Sequence, residues 1–506
     1  MRTQLAIKNM IASLVLQVVL ALSGIIVPRF FTALYGSPVN GLVSSISQFI
    51  SYMGLVEAGI GAAGTVALYG PIARKETDEV SAIVSAARSF YTKSGLLFVG
   101  LLAILVILYP NIVQNEIQNT GFVRTMILVL SVNGIVDYFY LGKYRVLLQA
   151  DQRGYVISLY QIIGTVVMTA VSLWLINLEV SALFVKGVAA AIYLLRSFAI
   201  ALYVKKHYPQ VNFKKAPKMS AFSQRWAALL HQIVGMIVNN SAVVLLTLFV
   251  KTSALVEVSV YSVYNMIGCA LSNLMNSISS GLGSGFGQVI SQNEKDVLRK
   301  SYSSYEFLFF VVIFIAYACM AVLLYPFIGL YSANFADSQI YIRKELVLLF
   351  SLAGLVQSLR LPGLTVICAA GHYKQTQSRA ILEAVINILI SLVLVGRYGL
   401  SGVMMGICIS YLYRTADVII YTAKHFVHAT LGQTIKRLVC NTVLIVVMVW
   451  VGLNFVPQQM NSWLSWFFYA VAYGVISCVT FLGVNMLIDP KERKSLFLRV
   501  KDLMRR

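Results

Sequence analysis

The sequence predicts an all-α polytopic membrane protein of about 14 transmembrane helices, built as two pseudo-symmetric six-helix lobes plus two C-terminal helices. Three observations carry this. Of 506 residues, 58% are hydrophobic and only 12% charged, about half the charge of a soluble domain, and the mean hydropathy is +0.78. Apolar runs of about 20 residues, enough to cross about 30 Å of hydrocarbon, recur along almost the whole chain. Lys and Arg gather in alternate connections between those runs.

The runs fall at 9–35, 40–68, 84–108, 122–148, 155–177, 180–204, 226–250, 258–290, 304–330, 344–370, 377–396, 400–423, 434–456 and 463–488. Ala21-Leu22-Ser23 in the first offers small residues at signal-cleavage spacing, but the apolar run continues through Phe31 and more spans follow, which predicts an uncleaved helix. Gly59, Gly61 and Gly64 mark the second span, and Gly281, Gly283, Gly285 and Gly287 the eighth. No strand precedes either series, so they predict close helix packing or a bendable helix and not a dinucleotide fingerprint. In the eleventh and twelfth spans Arg379 and Glu383 lie four apart and Arg414 and Asp417 three apart, so each pair can neutralise itself on one helix face.

With the N-terminus taken as cytoplasmic, the inner segments hold 31 Lys and Arg, the outer segments 6, and Lys186, Arg196 and Arg360 lie within spans. Positive charge stays inside in short loops, so both termini are expected in the cytoplasm and the number of crossings is even. The basic stretch after Pro490 sets Leu496, Val500 and Leu503 on one helical face. It either lies on the anionic inner leaflet or is simply solvated.

Sliding the chain against itself exposes a repeat. At an offset of 218, Tyr193, Leu194, Arg196, Tyr203, Lys206 and His207 match Tyr411, Leu412, Arg414, Tyr421, Lys424 and His425. At 222, Gly59-Ile60-Gly61 meets Gly281-Leu282-Gly283, and at 220 Leu128, Ser131 and Gly134 meet Leu348, Ser351 and Gly354. Six helices is an even number, so the two copies enter the membrane in the same direction. The expected organisation is an N-lobe at 1–204, a cytoplasmic basic linker at 205–225, a C-lobe at 226–425, two helices within 426–488 and a basic tail at 489–506.

A net charge of +21 would suggest nucleic acid in a soluble protein, but here the basic residues punctuate apolar runs. No GxxxxGK[ST] phosphate loop occurs. Cys269, Cys319, Cys368, Cys408, Cys440 and Cys478 sit in apolar stretches without CxxC spacing and read as small core hydrophobes, so neither metal nor cofactor is expected. Charge inside lipid costs about 2.5–3.5 kcal/mol per residue at a helix centre and should face a cavity or a partner. Glu57, Asp137, Lys186 and Arg360 have no same-helix partner by spacing, so each lines a cavity or pairs between helices. Arg29 sits at the outer end of the first span, where an interfacial position suffices, and Arg196 and Arg414 near inner helix ends can snorkel. Asn239, Asn240, Asn265, Asn273 and Asn276 place amides in spans seven and eight, suited to bonding helix to helix or to sugar hydroxyls.

Leu34-Tyr35-Gly36 through Gly41-Leu42, Leu55-Val56-Glu57-Ala58-Gly59-Ile60-Gly61 and Leu147-Leu148-Gln149-Ala150 resemble the first-span exit, second helix and fourth-helix end of the Wzx-type oligosaccharide flippases. These form the polysaccharide-transporter branch of the superfamily that also holds MATE drug exporters and the lipid II flippase MurJ. The resemblance implies a cell-membrane transporter, not an enzyme, that moves a polyprenyl-pyrophosphate-linked oligosaccharide from inner to outer leaflet for surface glycans. It also implies the lipid bilayer and other polysaccharide-assembly membrane proteins as partners. On this reading Arg360, Lys186 and Arg29 contact the diphosphate, Asn239, Asn240, Asn273 and Asn276 the sugars, and Glu57 or Asp137 carries a coupling ion, while the last two helices border a groove for the lipid tail. MurJ-like proteins carry arginines well inside the first helix, whereas this one is uncharged from Met10 to Pro28, which argues against lipid II. The alternatives are a MATE-like cation or drug antiporter, which needs an acidic cavity, and a membrane glycan ligase or polymerase, which needs a sizeable outer loop where 109–122 and 331–343 are short.

Overall fold

The computed structural model describes residues 2–57, 59–219, 225–292, 294–427 and 431–494. Its α-helices, in chain order, are α1 (Arg2–Tyr35), α2 (Ser37–Met53), α3 (Ile60–Ala73), α4 (Thr77–Val113), α5 (Thr120–Val136), α6 (Gly142–Ala150), α7 (Gly154–Asn177) and α8 (Ala182–His207). There follow α9 (Arg225–Phe249), α10 (Ala254–Ser291), α11 (Lys295–Ser332), α12 (Lys344–Leu359), α13 (Leu361–Ala369), α14 (Tyr373–Thr422), α15 (Gly432–Phe455) and α16 (Trp463–Ile488). Among the described residues, 12 helical stretches are long and apolar enough to cross a membrane; one of them, Lys374–Val427, holds two crossings, and the shorter Asn240–Phe249 belongs to another. The chain is thus a polytopic all-α membrane protein. Its helix surfaces carry side chains such as Val393 (78% exposed) and Trp450 (69%), which only hydrocarbon can solvate.

Several helices outrun their apolar segments. Helix α4 starts at Thr77 with Asp78 and Glu79 in its first turn and α11 at Lys295 with Asp296, acids that favour the helix dipole, and these polar turns are invisible to a hydropathy ruler. At the other extreme, α14 would be about 75 Å long if straight, more than twice a bilayer core. Gly399, at φ 54° and ψ −130°, breaks it. A Cβ on Gly402 would fall 2.4 Å from Leu394 O and one on Gly406 2.2 Å from Ser391 Oγ, so the two arms fold back on each other as a tight antiparallel hairpin.

The chain divides into two compact units, Met1–Ser259 and Val260–Arg506. The division lies beyond the basic linker, because α9, read from sequence as opening the second lobe, packs on α2 and α3 of the first. Buried hydroxyls fasten it: Ser45 and Thr247 lie 2.8 Å apart and Tyr109 donates to Ser45 at 2.7 Å. Elsewhere in this unit α1 lies along α7, with Ser23 2.7 Å from Thr169 and Asn9 bonded to Gln152 O at 2.8 Å.

In the second unit α11 is central and touches α12, α15 and α16. The last two helices are bound to it through Arg437, 2% exposed, which pairs with Glu306 at 2.9 Å and Asp489 at 2.6 Å. Asn441 and Asn485 exchange amide bonds of 2.9 and 2.8 Å between α15 and α16. Arg437 falls in the first turns of the span at 434–456, and in the fold it is a buried anchor. Of the tail, residues 495–506 lie outside the described residues.

The repeat has matching geometry in each unit. His207 stacks on Tyr203 with centroids 3.9 Å apart, and His425 on Tyr421 at 4.1 Å, each ring nitrogen 3.0 Å from the tyrosine carbonyl oxygen. Gly134 admits the ring of Phe98, and Gly354 that of Tyr317, where a Cβ would stand 2.7 and 2.4 Å away. A π-helical stretch at Asp137–Leu141 interrupts span four, and a break at Arg360 interrupts span ten at the equivalent place.

The cysteines depart from expectation. Only Cys408 is buried, and Cys269, Cys368 and Cys478 are exposed on helix surfaces, because an apolar stretch facing lipid has the same composition as one facing the core.

Candidate functional site

The site in the first unit is made by two broken spans. Span two unwinds between α2 and α3 through a 3₁₀ turn at Gly54–Glu57 and then Gly59, whose φ of +83° is left-handed. Carbonyls released from a membrane helix need donors. Tyr138 supplies one to Gly54 O at 3.2 Å and Ser94 one to Val56 O at 3.2 Å, and both stabilise the break that places Glu57. In span four the π-helical stretch presents Asp137, which accepts from Arg145 at 2.9 Å and from Tyr193 OH at 2.6 Å. Glu57 feels the positive charge of Arg145 and the negative charge of Asp137. Glu57, Tyr91, Arg145, Gln149 and Met236 line a cavity of about 630 Å³ with Gly59 and Gly61. One carboxylate thus pairs with the guanidinium and a second, Glu57, lies within reach of its charge beside open space, an arrangement that can gain or lose a cation or proton.

Sequence spacing brings Glu57 and Asp137 into view but misses Arg145. It follows Asp137 by eight residues, outside the three- and four-residue spacings that signal a same-face pair. Tyr91 carries no signal beyond an aromatic in an apolar run, and Tyr193 only its match to Tyr411 in the repeat.

The second unit carries an arginine-rich chain of charges. Arg360 is buried in the break between α12 and α13; it donates to Glu383 at 2.5 Å and lies 5.0 Å from the Tyr411 ring centroid. The other Glu383 oxygen faces Arg414 at 3.7 Å, Arg414 bonds Asp417 at 2.6 Å, and Asp417 accepts from Arg379 at 2.9 Å. Arg414 and Asp417 pair as their spacing predicts. Arg379 and Glu383 do not, since Arg360 takes Glu383 and Asp417 serves two arginines. Three guanidiniums face two carboxylates, so this group is cationic where the first unit's is anionic. Arg414 is buried in this chain and not extended to an interface.

The remaining expected contacts are dispersed. The Lys186 ammonium on α8 stands 4.4 Å from the Phe31 ring centroid, and among the described residues no carboxylate pairs with it. Arg29 lies two residues before Phe31 on α1 and is half-buried. Arg196 stacks 4.2 Å from the Tyr193 ring centroid, and its buried Nε has no hydrogen-bond partner among the described residues. Asn240 is half-buried on α9, Asn273 and Asn276 are exposed on α10, and the side chain of Asn239 lies outside the described residues. No cluster of three metal-ligating side chains occurs among the described residues.

No protein-family model matches the sequence, and no curated protein matches it. Solved structures do. The lipid II flippase MurJ in an inward closed conformation aligns with a TM-score of 0.63 and 14% identity over 95% of this chain and 99% of its own. An inward-facing multidrug resistance MATE family transporter of the MOP superfamily aligns at 0.59 and 13% identity over 80% of this chain and 94% of its own. A point mutant of the Vibrio cholerae MATE transporter VcmN aligns at 0.54 and 14% identity over 85% and 98%. The chain has the fold that these transporters share.

Proposed function

We propose that the protein is a flippase that carries a polyprenyl-pyrophosphate-linked oligosaccharide from the inner to the outer leaflet by alternating access, in the assembly of a surface polysaccharide. The observation that supports it best is the arginine-rich chain of the second unit, with Arg360 and Arg414 buried and Arg379 38% exposed against Glu383 and Asp417, together with Lys186, which has an aromatic ring for its neighbour in place of a carboxylate. Buried positive charge is expensive in lipid unless an anion visits it, and a diphosphate supplies that anion. The arginines of the chain can trade a carboxylate oxygen for a phosphate oxygen without leaving either bare. Asn240, Asn273 and Asn276 then serve sugar hydroxyls. The MurJ alignment extends over 95% of the chain and the MATE alignments over 80–85%, and the former name describes a flippase of a lipid-linked substrate.

In the first unit Glu57 and Asp137 are the coupling groups. Arg145 already neutralises Asp137, so a proton or cation taken up at Glu57 changes the net charge of the 630 Å³ cavity from negative to neutral. The same two acids support a second reading, a MATE-like cation or drug antiporter.

The test is the lipid-linked intermediate. Depletion of the protein should leave an undecorated surface and a lipid-linked glycan accumulated in the cytoplasmic leaflet, and Lys186→Ala should do the same while remaining in the membrane. Drug sensitivity without that accumulation would select the antiporter. Normal surface glycan in Lys186→Ala would remove Lys186 from the site.

A further inference from the structure

We propose that the first unit holds a phosphate-binding cradle, apart from the Glu57 cavity, in which Lys143, Arg88 and Lys205 grip a phosphate group above the rings of Tyr144 and Phe213. It does not depend on the transported substrate.

The geometry is unusual for a solvated basic face. Lys143 is half-buried, its ammonium 4.9 Å from the Tyr144 ring centroid and 5.9 Å from those of Phe213 and Tyr140. Arg88 donates to Phe213 O at 3.3 Å, and both Arg88 and Lys205 repel Lys143 through their charges. Nearby carboxylates are committed elsewhere: Asp78 to Lys215, Glu79 to Lys218, and Asp151 to Arg153 at 3.1 Å. Among the described residues no carboxylate pairs with Lys143, Arg88 or Lys205. A solvated patch relieves such repulsion by extending its side chains into water. Here the rings and the Phe213 carbonyl hold two of the three in place.

That hold is built into the linker. Asn212 N donates to Ser81 Oγ at 3.0 Å, Ser85 Oγ to Lys215 O at 2.6 Å, and Lys218 N to Ala82 O at 3.2 Å, so the chain around Phe213 is strapped to α4. Tyr144 and Phe213 meet edge to face at 5.2 Å. Two held cations and the Lys205 charge beside them, without a carboxylate partner among the described residues, fit a tetrahedral anion, whose oxygens accept from guanidinium and ammonium together. The cradle adjoins the last turn of α8, where Lys205, Lys206 and His207 lie, the kind of helix end that meets lipid headgroups. A phosphate there can come from an anionic phospholipid or from solution.

The purified full-length protein, exchanged into mixed phosphatidylglycerol and phosphatidylcholine, tests this by native mass spectrometry of retained lipid. Lys143→Gln and Arg88→Gln should each lower retained phosphatidylglycerol about fivefold, while Lys251→Gln should leave it unchanged. Inorganic phosphate provides the second arm: a rise in wild-type Tm with phosphate that Lys143→Gln abolishes, without a lipid preference, assigns the cradle to a free anion. If Lys143→Gln fails to fold, Lys205→Gln on the exposed final turn of α8 is expected to show the same several-fold loss. Equal lipid retention and equal phosphate response in wild type and variants would overturn the proposal.

Discussion

Arg145 reaches from α6 back over the π-helical stretch of span four to donate to Asp137 at 2.9 Å, and the same carboxylate oxygen accepts from Tyr193 OH at 2.6 Å. Two donors from two helices thus converge on one atom. The helical irregularity at Asp137–Leu141 and the position of α8 are both tied to it.

Removing that acceptor should be felt throughout the first unit. Hydrogen bonds to charged groups contribute about 1.5–3 kcal/mol, and the side chains here are 32% and 26% exposed, which favours the lower end. Asp137→Asn is expected to lower the Tm in detergent by several degrees, and Tyr193→Phe by less. An unchanged Tm in Asp137→Asn would show that the convergence contributes nothing to stability.

The Arg360–Glu383 pair offers a sharper contrast, since both side chains are buried. Breaking a buried pair by removing one partner costs about 3–5 kcal/mol because it strands the other charge, whereas replacing both can be neutral. Arg360→Met alone should therefore destabilise the protein, by less than that full cost because Arg414 still faces Glu383 at 3.7 Å, and Arg360→Met with Glu383→Met should recover most of the loss. Arg414 would keep a partner in Asp417 throughout. Thermal unfolding of the two singles and the double decides it; additive losses would contradict the pairing.

Gly399 and Gly396 make a matched test of the hairpin in α14. Neither would meet another atom if given a Cβ, but only Gly399 has positive φ. Gly399→Ala should cost about 1–3 kcal/mol through backbone strain alone, and Gly396→Ala should be neutral or slightly stabilising. Equal folded yields by fluorescence-detected chromatography would show that the chain turns elsewhere.

Acid should loosen the anchor of the last two helices. Burial alone would raise the pKa of Asp489, but hydrogen bonds from Arg437 at 2.6 Å and Gln433 at 3.0 Å, with the Arg437 charge, outweigh it and hold the carboxyl below its usual value. A depressed folded pKa gives stability that is present above the unfolded value near about 3.9 and is lost as pH falls through the lower folded value. The wild type should lose Tm on acidification below about pH 4, and Asp489→Asn should be less stable at neutral pH with a shallower loss in that window. A parallel pH profile in the variant would contradict the assignment.

Much of this architecture was legible in the amino acids. Apolar runs located the crossings, because solvation by hydrocarbon is a property of about 20 consecutive residues and needs no partner. The Tyr203–His207 and Tyr421–His425 matches anticipated equal local geometry in both units, since a residue and its neighbour four places on are adjacent on any helix. For the same reason Arg414 and Asp417 pair as their spacing says, and Gly59 lies where the second span bends.

What the tertiary structure alone decided is which charges meet and where the units part. Arg379 and Glu383 stand four apart, yet each bonds a residue distant in sequence. Arg437 and Arg145 lie near span ends with no carboxylate three or four residues away, yet are an anchor and a cavity wall in the fold. Helix α9 follows the basic linker yet packs on the first unit through Ser45 and Thr247. Composition along a helix sets how that helix meets lipid, but a charge of long reach chooses among every helix that passes nearby, and that choice exists only after the helices have packed.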